Sequence, residues 1–392
     1  ALAQYQTYCQ LLAEELGVEP SAATRELYEL LSGGEWPADA SVSGAILERE
    51  VVAADPCPYR GLAAFREEDA PFFFGREGFV GQLAEAVKKR SMGAVIVGSS
   101  GCGKSSTVFA GLLPRLRNEG GWLITGFRPG SWPFKAQAAA LLPFLEPDEA
   151  HCRGELTLKQ AVERVLESNP EASRLLLVVD QFEELYTLCP EPEMRRRFLD
   201  ELLAAVGTGQ ESRPAPFVLL LTLRADFMGQ ALAHRPFADA LQDASLLLGP
   251  MTREELCSAI ERPALKQGAV FETGLVERIL DDVGEEPGGL PLLEFALTLL
   301  WEQQSYGWLT HAGYEQIGRV EGAVARYADE EFGDLDEGEQ ESARKVFVQL
   351  VRPGEGTEDT RRVASRAELG EANWRLVQHL ADRRLVVTGR DA

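Results

Sequence analysis

The chain has 392 residues, of which 39 are Lys or Arg and 62 are Asp or Glu, giving a formal net charge of −23. That balance argues against a nucleic-acid or anionic-membrane surface over most of the chain, while leaving room for a small basic pocket that binds phosphate. Hydrophobic residues make up 45%, an ordinary globular share, and at about 150 residues per domain the length implies two or three domains. No run approaches the roughly 18 apolar residues of a membrane span; FVLLLTL (217–223) is among the longest. No secretory leader is visible. The six cysteines and four histidines are scattered, which argues against a disulfide framework or a structural zinc site and fits a reducing cytoplasm. Ala1 falls inside a helical pattern, so the chain reads as a piece of something longer.

Residues 1–33 predict two helices. Tyr5, Tyr8, Leu11, Leu12 and Leu16 recur at helical spacing before Gly17, and Leu27, Leu30 and Leu31 share a face after Ser21. Residues 34–57, with Pro37 and Pro56, read as a linker with one short helix near 44–51. From residue 58 the pattern alternates. Helices are expected at Glu77–Arg90, Lys104–Arg117, 134–145, 157–168 and 191–206. Strands are expected at Gly93–Val97, Trp122–Gly126, Leu175–Val179 and 217–223, with one more short strand at Leu246–Leu248. Such alternation implies a doubly wound, mostly parallel sheet. After about residue 250 the strands stop, and helices fit 252–263, 272–283, 290–304, 312–317, 321–331 and 338–351. The end, 366–390, reads as one or two helices and a strand at Leu385–Val387.

The strongest signal is Gly98-Ser99-Ser100-Gly101-Cys102-Gly103-Lys104-Ser105, which matches G-x-x-x-x-G-K-[ST] between a strand and a helix. Glycines let backbone N–H groups turn towards phosphate oxygens, and the following helix offers its positive end to the same anion. Lys104 supplies a point charge for the β- and γ-phosphates, and the Ser105 hydroxyl a ligand for Mg²⁺. Ser106 adds a second hydroxyl, suited to the α-phosphate. Leu175–Val179 leads into Asp180, 75 residues after Ser105, as expected of an acidic residue held at the carboxyl edge of the sheet to orient the ion. Glu183 and Glu184 are both candidates for the base that activates water, and spacing does not separate them. Gln181 stands where many P-loop ATPases carry a catalytic glutamate, which argues against fast turnover. Arg224, at the end of strand 217–223, is the candidate γ-phosphate sensor, with a salt bridge to Asp226 as the alternative.

These segments resemble the novel STAND NTPases, signal-transduction P-loop ATPases related to AAA+ proteins. The carriers are CPYRGLAAF (57–65), FFGREG (73–78), VGSSGCGKSS (97–106), VVDQFEEL (178–185), TLRADF (222–227), MTREELCSAIERPA (251–264) and GGLPLLEFAL (288–297). The resemblance implies that Arg76 lies near the nucleotide, that Pro291 on a helical lid packs near adenine, and that a glutamine after the Walker B aspartate is usual. It implies ATP or ADP with Mg²⁺ as cofactors. The implied fold is α/β, an AAA+/STAND-like P-loop NTPase with an all-α lid and a winged-helix-like module. LAEELGVEPSAATRELYELL (12–31) is similar to the end of the bacterial transcriptional activator domain of antibiotic regulatory protein-type regulators. The expected organisation is therefore a tetratricopeptide-like helical end (1–33), a linker (34–57), a nucleotide-binding domain (58–250), a lid (251–310) and a truncated winged-helix-like domain (311–392). The function implied is a nucleotide-operated switch within a bacterial regulator, oligomerising with itself when ATP is bound and reset by slow hydrolysis. It would answer an unknown signal and reach DNA only through a domain outside this chain, with no membrane partner. The rivals are a mechanochemical AAA+-like ATPase, with Arg224, Arg235 or Arg253 as an arginine finger, and direct DNA binding through Arg361-Arg362 and Arg383-Arg384.

Overall fold

The computed structural model describes residues 56–89, 92–145, 156–206, 216–284, 289–352, 360–362, 364–382 and 385–386. The helices expected before residue 56 lie outside the described residues. Contacts divide the chain into two units, Ala1–Pro56 and Cys57–Ala392, and the description that follows is of the second.

Helix α1 (Glu77–Lys89) precedes β1 (Met92–Gly98). The helix after the glycine-rich loop, α2, is made of Lys104–Ser106, a π-type stretch at Thr107–Leu112, and Leu113–Glu119. Then come β2 (Trp122–Phe127), α3 (Pro133–Leu141), α4 (Leu158–Ser168), β3 (Arg174–Val179), α5 (Pro192–Val206), β4 (Phe217–Arg224), α6 (Arg235–Ala244) and β5 (Ser245–Leu247). All five strands run parallel in the order β2-β3-β4-β1-β5. The apolar runs of β3 and β4 are buried throughout except at one end of each, as two covered faces require. One face packs Leu177, Val179, Leu219 and Leu221 against Phe198 and Phe237, and the other packs Ile96, Leu176 and Leu220 against Leu83 and Leu112.

β4 lies between β1 and β3, with Gly98 opposite Arg224 and Val179 opposite Leu221. The glycine-rich loop, the Asp180 turn and the end of β4 therefore meet at one carboxyl edge, where the chain crosses from β1 to strands on either side. Open parallel sheets bind ligands at such a switch point.

Helix α6 is absent from the sequence reading, as is the short helix Met228–Leu232 before it. Its buried residues Phe237, Leu241 and Ala244 keep helical spacing, but its N-cap is His234, whose Nδ1 accepts from the Phe237 N–H (3.3 Å). A histidine cap carries none of the usual Ser/Thr/Asp/Asn signal.

Beyond residue 250 come α7 (Arg253–Lys266), β6 (Val270–Phe271), α8 (Leu275–Val283), α9 (Gly289–Glu302), β7 (Trp308–Leu309), α10 (His311–Gln316), α11 (Arg319–Gly333), α12 (Glu337–Leu350), β8 (Val351–Arg352), β9 (Thr360–Arg361) and α13 (Trp374–Asp382). Strands thus continue past 250, as a parallel pair β6–β7 and an antiparallel pair β8–β9. Pairs of two residues are too short to leave an alternation in the sequence. The strand expected at Leu385–Val387 is not formed at Leu385 and Val386. Both N–H groups donate back to Leu380 O, so the chain curls over the end of α13, and its side chains pack with Leu335 and Leu376. Among the described residues no helix is long and apolar enough to cross a membrane.

Candidate functional site

The glycine-rich loop is shaped by its sequence. A Cβ on Gly98 would stand 2.6 Å from Cys102 Sγ and 2.7 Å from Leu248 O, so only glycine lets the loop fold back over β5. Gly103 has φ 91°, a left-handed conformation that starts α2 without a Cβ penalty. The buried Lys104 ammonium donates to Gly98 O (3.0 Å) and Ser99 O (2.7 Å).

At the facing strand end, Ser105 Oγ and Thr222 Oγ1 both donate to Asp180 Oδ1, at 2.7 and 2.8 Å. The other oxygen, Oδ2, is buried with no hydrogen-bond partner, while Arg128 Nε stands 3.4 Å away as an ion-pair partner. Thr222 also accepts from the Gln181 N–H (2.8 Å), holding Gln181 at φ 53°, a conformation costly for a non-glycine residue. In the amide orientation its neighbours require, Gln181 donates to Glu184 Oε1 (3.1 Å) and accepts from Arg128 Nη2 (3.2 Å).

The two glutamates separate here. Glu183 Oε2 accepts from the Arg224 N–H (3.2 Å), and its side chain lines a cavity of about 240 Å³ together with Lys104 and Ser105. Glu184 turns away, accepting from the Gly130 N–H (3.2 Å). Burial raises the pKa of both; Lys104 and Arg224 oppose the rise at Glu183, and Arg128 opposes it at Glu184.

The cavity gathers most of the expected residues: Arg76, Ser100 to Ser106, Glu183, Arg224 and Pro291. Gly98, Asp180 and Glu184 do not line it, although Asp180 is bonded to the lining Ser105 and Thr222, and Ser99 lines a second cavity of about 600 Å³ at the start of α7. The Arg76 guanidinium is committed to the protein. It donates to Cys102 O (3.2 Å) and Gly249 O (2.8 Å) and faces Glu255 at 3.6 Å, which ties the loop to α7. Burial lowers its pKa, against the pull of Glu255. Arg224 makes the fork to Asp226 weighed as its alternative, at 3.1 and 2.7 Å, while still lining the cavity. Ser106 Oγ accepts from the Phe65 N–H (3.2 Å). Arg235 and Arg253 are engaged with Asp239 and Asp281.

Sequence reasoning missed Thr222, Arg128 and the strap Cys57–Phe65 as parts of the site. The strap closes the cavity from the lid side. Tyr59 is buried in the lid core and donates to Ile260 O (2.6 Å), and the Arg60 N–H donates to Glu294 Oε2 (3.2 Å). Arg128 was within reach, as the residue directly after a strand at the carboxyl edge. Thr222 was the one hydroxyl in an apolar strand.

The family model of novel STAND NTPase 1 matches residues 58–392. The chain belongs to this family. A second model, the bacterial transcriptional activator domain, matches residues 1–31 of the same STAND NTPase. No curated protein matches it by sequence. Among solved structures it is similar to the Orc1 protein of Aeropyrum pernix in complex with DNA (16% identity, TM-score 0.44, covering 83% of this chain and 82% of that one). It is also similar to the ADP form of the Orc2 protein of the same organism (17%, 0.46, 81% and 88%). A third is Cdc6p of Pyrobaculum aerophilum (14%, 0.42, 81% and 88%). As a member of its family the STAND NTPase is a P-loop nucleotide hydrolase in class, with an activator-domain segment ahead of the NTPase region.

Proposed function

We propose that this STAND NTPase is an ATP- and ADP-operated switch in a larger bacterial regulator, and that hydrolysis is slow and resets it. One observation carries the reading: the phosphate loop, the ends of β3 and β4, the strap and the first turn of α9 all line one cavity. A ligand filling it touches the sheet and the lid together, so ATP and ADP can favour different lid positions. Differential affinity of that kind is what moves a two-state equilibrium.

The residues present fit a magnesium nucleotide. A hydroxyl and a carboxylate oxygen meet at 2.7 Å, and Asp180 keeps a buried oxygen without a hydrogen bond. Mg²⁺ takes few protein oxygens and completes its shell with phosphate and water; Ser105 and Asp180 would hold it, and it would neutralise phosphate charge. Thr222 and Arg128 keep the carboxylate aimed. Lys104 and the α2 N-terminus counter the phosphate charge. Glu183, inside the cavity and with a raised pKa, takes the proton from water, while Glu184 buttresses Gln181. Arg224 divides its guanidinium between Asp226 and the γ-phosphate position.

Nucleotide content after purification, with mass and shape measured in ADP and in a non-hydrolysable ATP analogue, tests the reading. Bound ADP and a larger or more open particle with the analogue are expected. Lys104→Ala removes binding. No nucleotide in the purified protein and one shape in every condition would refute it.

A further inference from the structure

Five charged residues line the cavity: Arg76, Lys104, Glu183, Arg224 and Glu294. Four of them are bonded to the phosphate loop, to the end of β4 or to Asp226 just beyond it. Glu294 is not. It sits one turn after Pro291 on α9, and its carboxylate accepts from the Arg60 N–H of the strap (3.2 Å). Around it the wall is apolar, formed by Leu62, Leu290, Pro291 and Leu293. With phosphates fixed at the loop, this is the end left for a flat purine, and Glu294 is the ionisable group that can meet its edge.

Resting on the nucleotide reading above, we propose that Glu294 selects adenine over guanine by donating a carboxyl O–H to N1 of the base. The Arg60 N–H fixes Oε2 as the acceptor, which leaves Oε1 to carry the proton towards the cavity. Adenine N1 offers a lone pair there. Guanine carries an N–H at the same position, so two donors would face each other, and a buried polar pair left unmatched is costly. An ionised Glu294 would reverse the preference by accepting from that N–H.

The surroundings keep the group neutral. Burial pushes the Glu294 carboxyl up to about 8, with only the Arg60 N–H opposing. The titratable groups facing it from the strap are Cys57 and Tyr59, whose pKa values burial raises and which are further raised by the Glu294 charge. From the lid, Glu261 acts on Tyr59 and Glu302 on Cys57, adding negative charge to the same region. Among the described residues no cationic side chain is paired with Glu294.

Titration calorimetry with ADP and with GDP, at about pH 6.5 and about pH 8.8, reads the preference on either side of this ionisation. The wild type is expected to prefer ADP at the lower pH and to lose part of that preference at the higher. Glu294→Gln keeps both an acceptor and a donor, so it should hold the preference at both values. Glu294→Leu should reduce it by about five- to twentyfold. An unchanged ADP-to-GDP ratio in Glu294→Leu, or a wild-type ratio that does not move with pH, would overturn the assignment while leaving the site intact. Equal nucleotide affinity in wild type and Lys104→Ala would instead overturn the nucleotide site, and the role of Glu294 with it.

Discussion

Replacing Thr222 by Val tests whether one hydroxyl holds the aspartate turn together. The change conserves shape at a residue 1% exposed, so packing is preserved and the effect isolates the oxygen. Two bonds of 2.8 Å are lost, one to the Asp180 carboxylate and one from the Gln181 N–H. A bond to a charged partner is worth about 1.5–3 kcal/mol, and an N–H left unpaired costs about 1–3 kcal/mol. Valine recovers about 1 kcal/mol through its extra apolar surface. The net loss is then about 1.5–5 kcal/mol, a large share of a stability of roughly 5–15 kcal/mol. The strained Gln181 also loses the bond that fixes it, and Asp180 keeps only Ser105 on Oδ1. Thermal melting should fall by several degrees, and magnesium-dependent hydrolysis by about tenfold or more. ADP affinity without magnesium should stay within about twofold. Thr222→Ser should restore both. Wild-type melting and turnover in Thr222→Val would refute the reasoning.

Three further predictions follow from the same geometry. Glu183→Gln should cut hydrolysis by about a hundredfold or more with ADP binding retained, whereas Glu184→Gln should cost less than about tenfold in single-turnover assays. Because burial raises the pKa of Glu183 and the base must be ionised, turnover should fall with decreasing pH along a limb above the ordinary glutamate range; a limb at the usual value would argue for another base. Glu294 holds a proton in the folded state up to about pH 8, so its contribution to stability is intact below the unfolded glutamate pKa and declines as pH rises towards 8. Glu294→Gln should therefore outlast the wild type in urea at alkaline pH, by at most about 5 kcal/mol, and match it near pH 4.

Much of the site was legible because its chemistry is local. The glycine-rich loop, Lys104 and Ser105 follow one another in the chain, and the apolar run before Asp180 announces a buried strand. What stayed hidden depends on neighbours distant in sequence. Thr222 matters only because β4 lies between β1 and β3, an order that alternation alone does not reveal. Glu183 and Glu184 are adjacent and identical in type, and only the turn at Gln181 sends one into the cavity and the other to Gly130. The cap of α6 was a histidine, and the pairs β6–β7 and β8–β9 were too short for any period. Glu294 lay inside a segment already noted for its proline, one turn further along the same helix.

The strap has a consequence for how information can enter the site. Residues 57–65 connect what precedes them to the NTPase region, and their backbone is bonded to α9 at one end and to α2 at the other. The strap is bonded to two walls at once, so a displacement at Cys57 is felt at α9 and at α2. On the nucleotide reading proposed above, a ligand in the cavity would press on the same strap. A cut there would disturb the lid as well, because Tyr59 is buried in its core and bonded to Ile260.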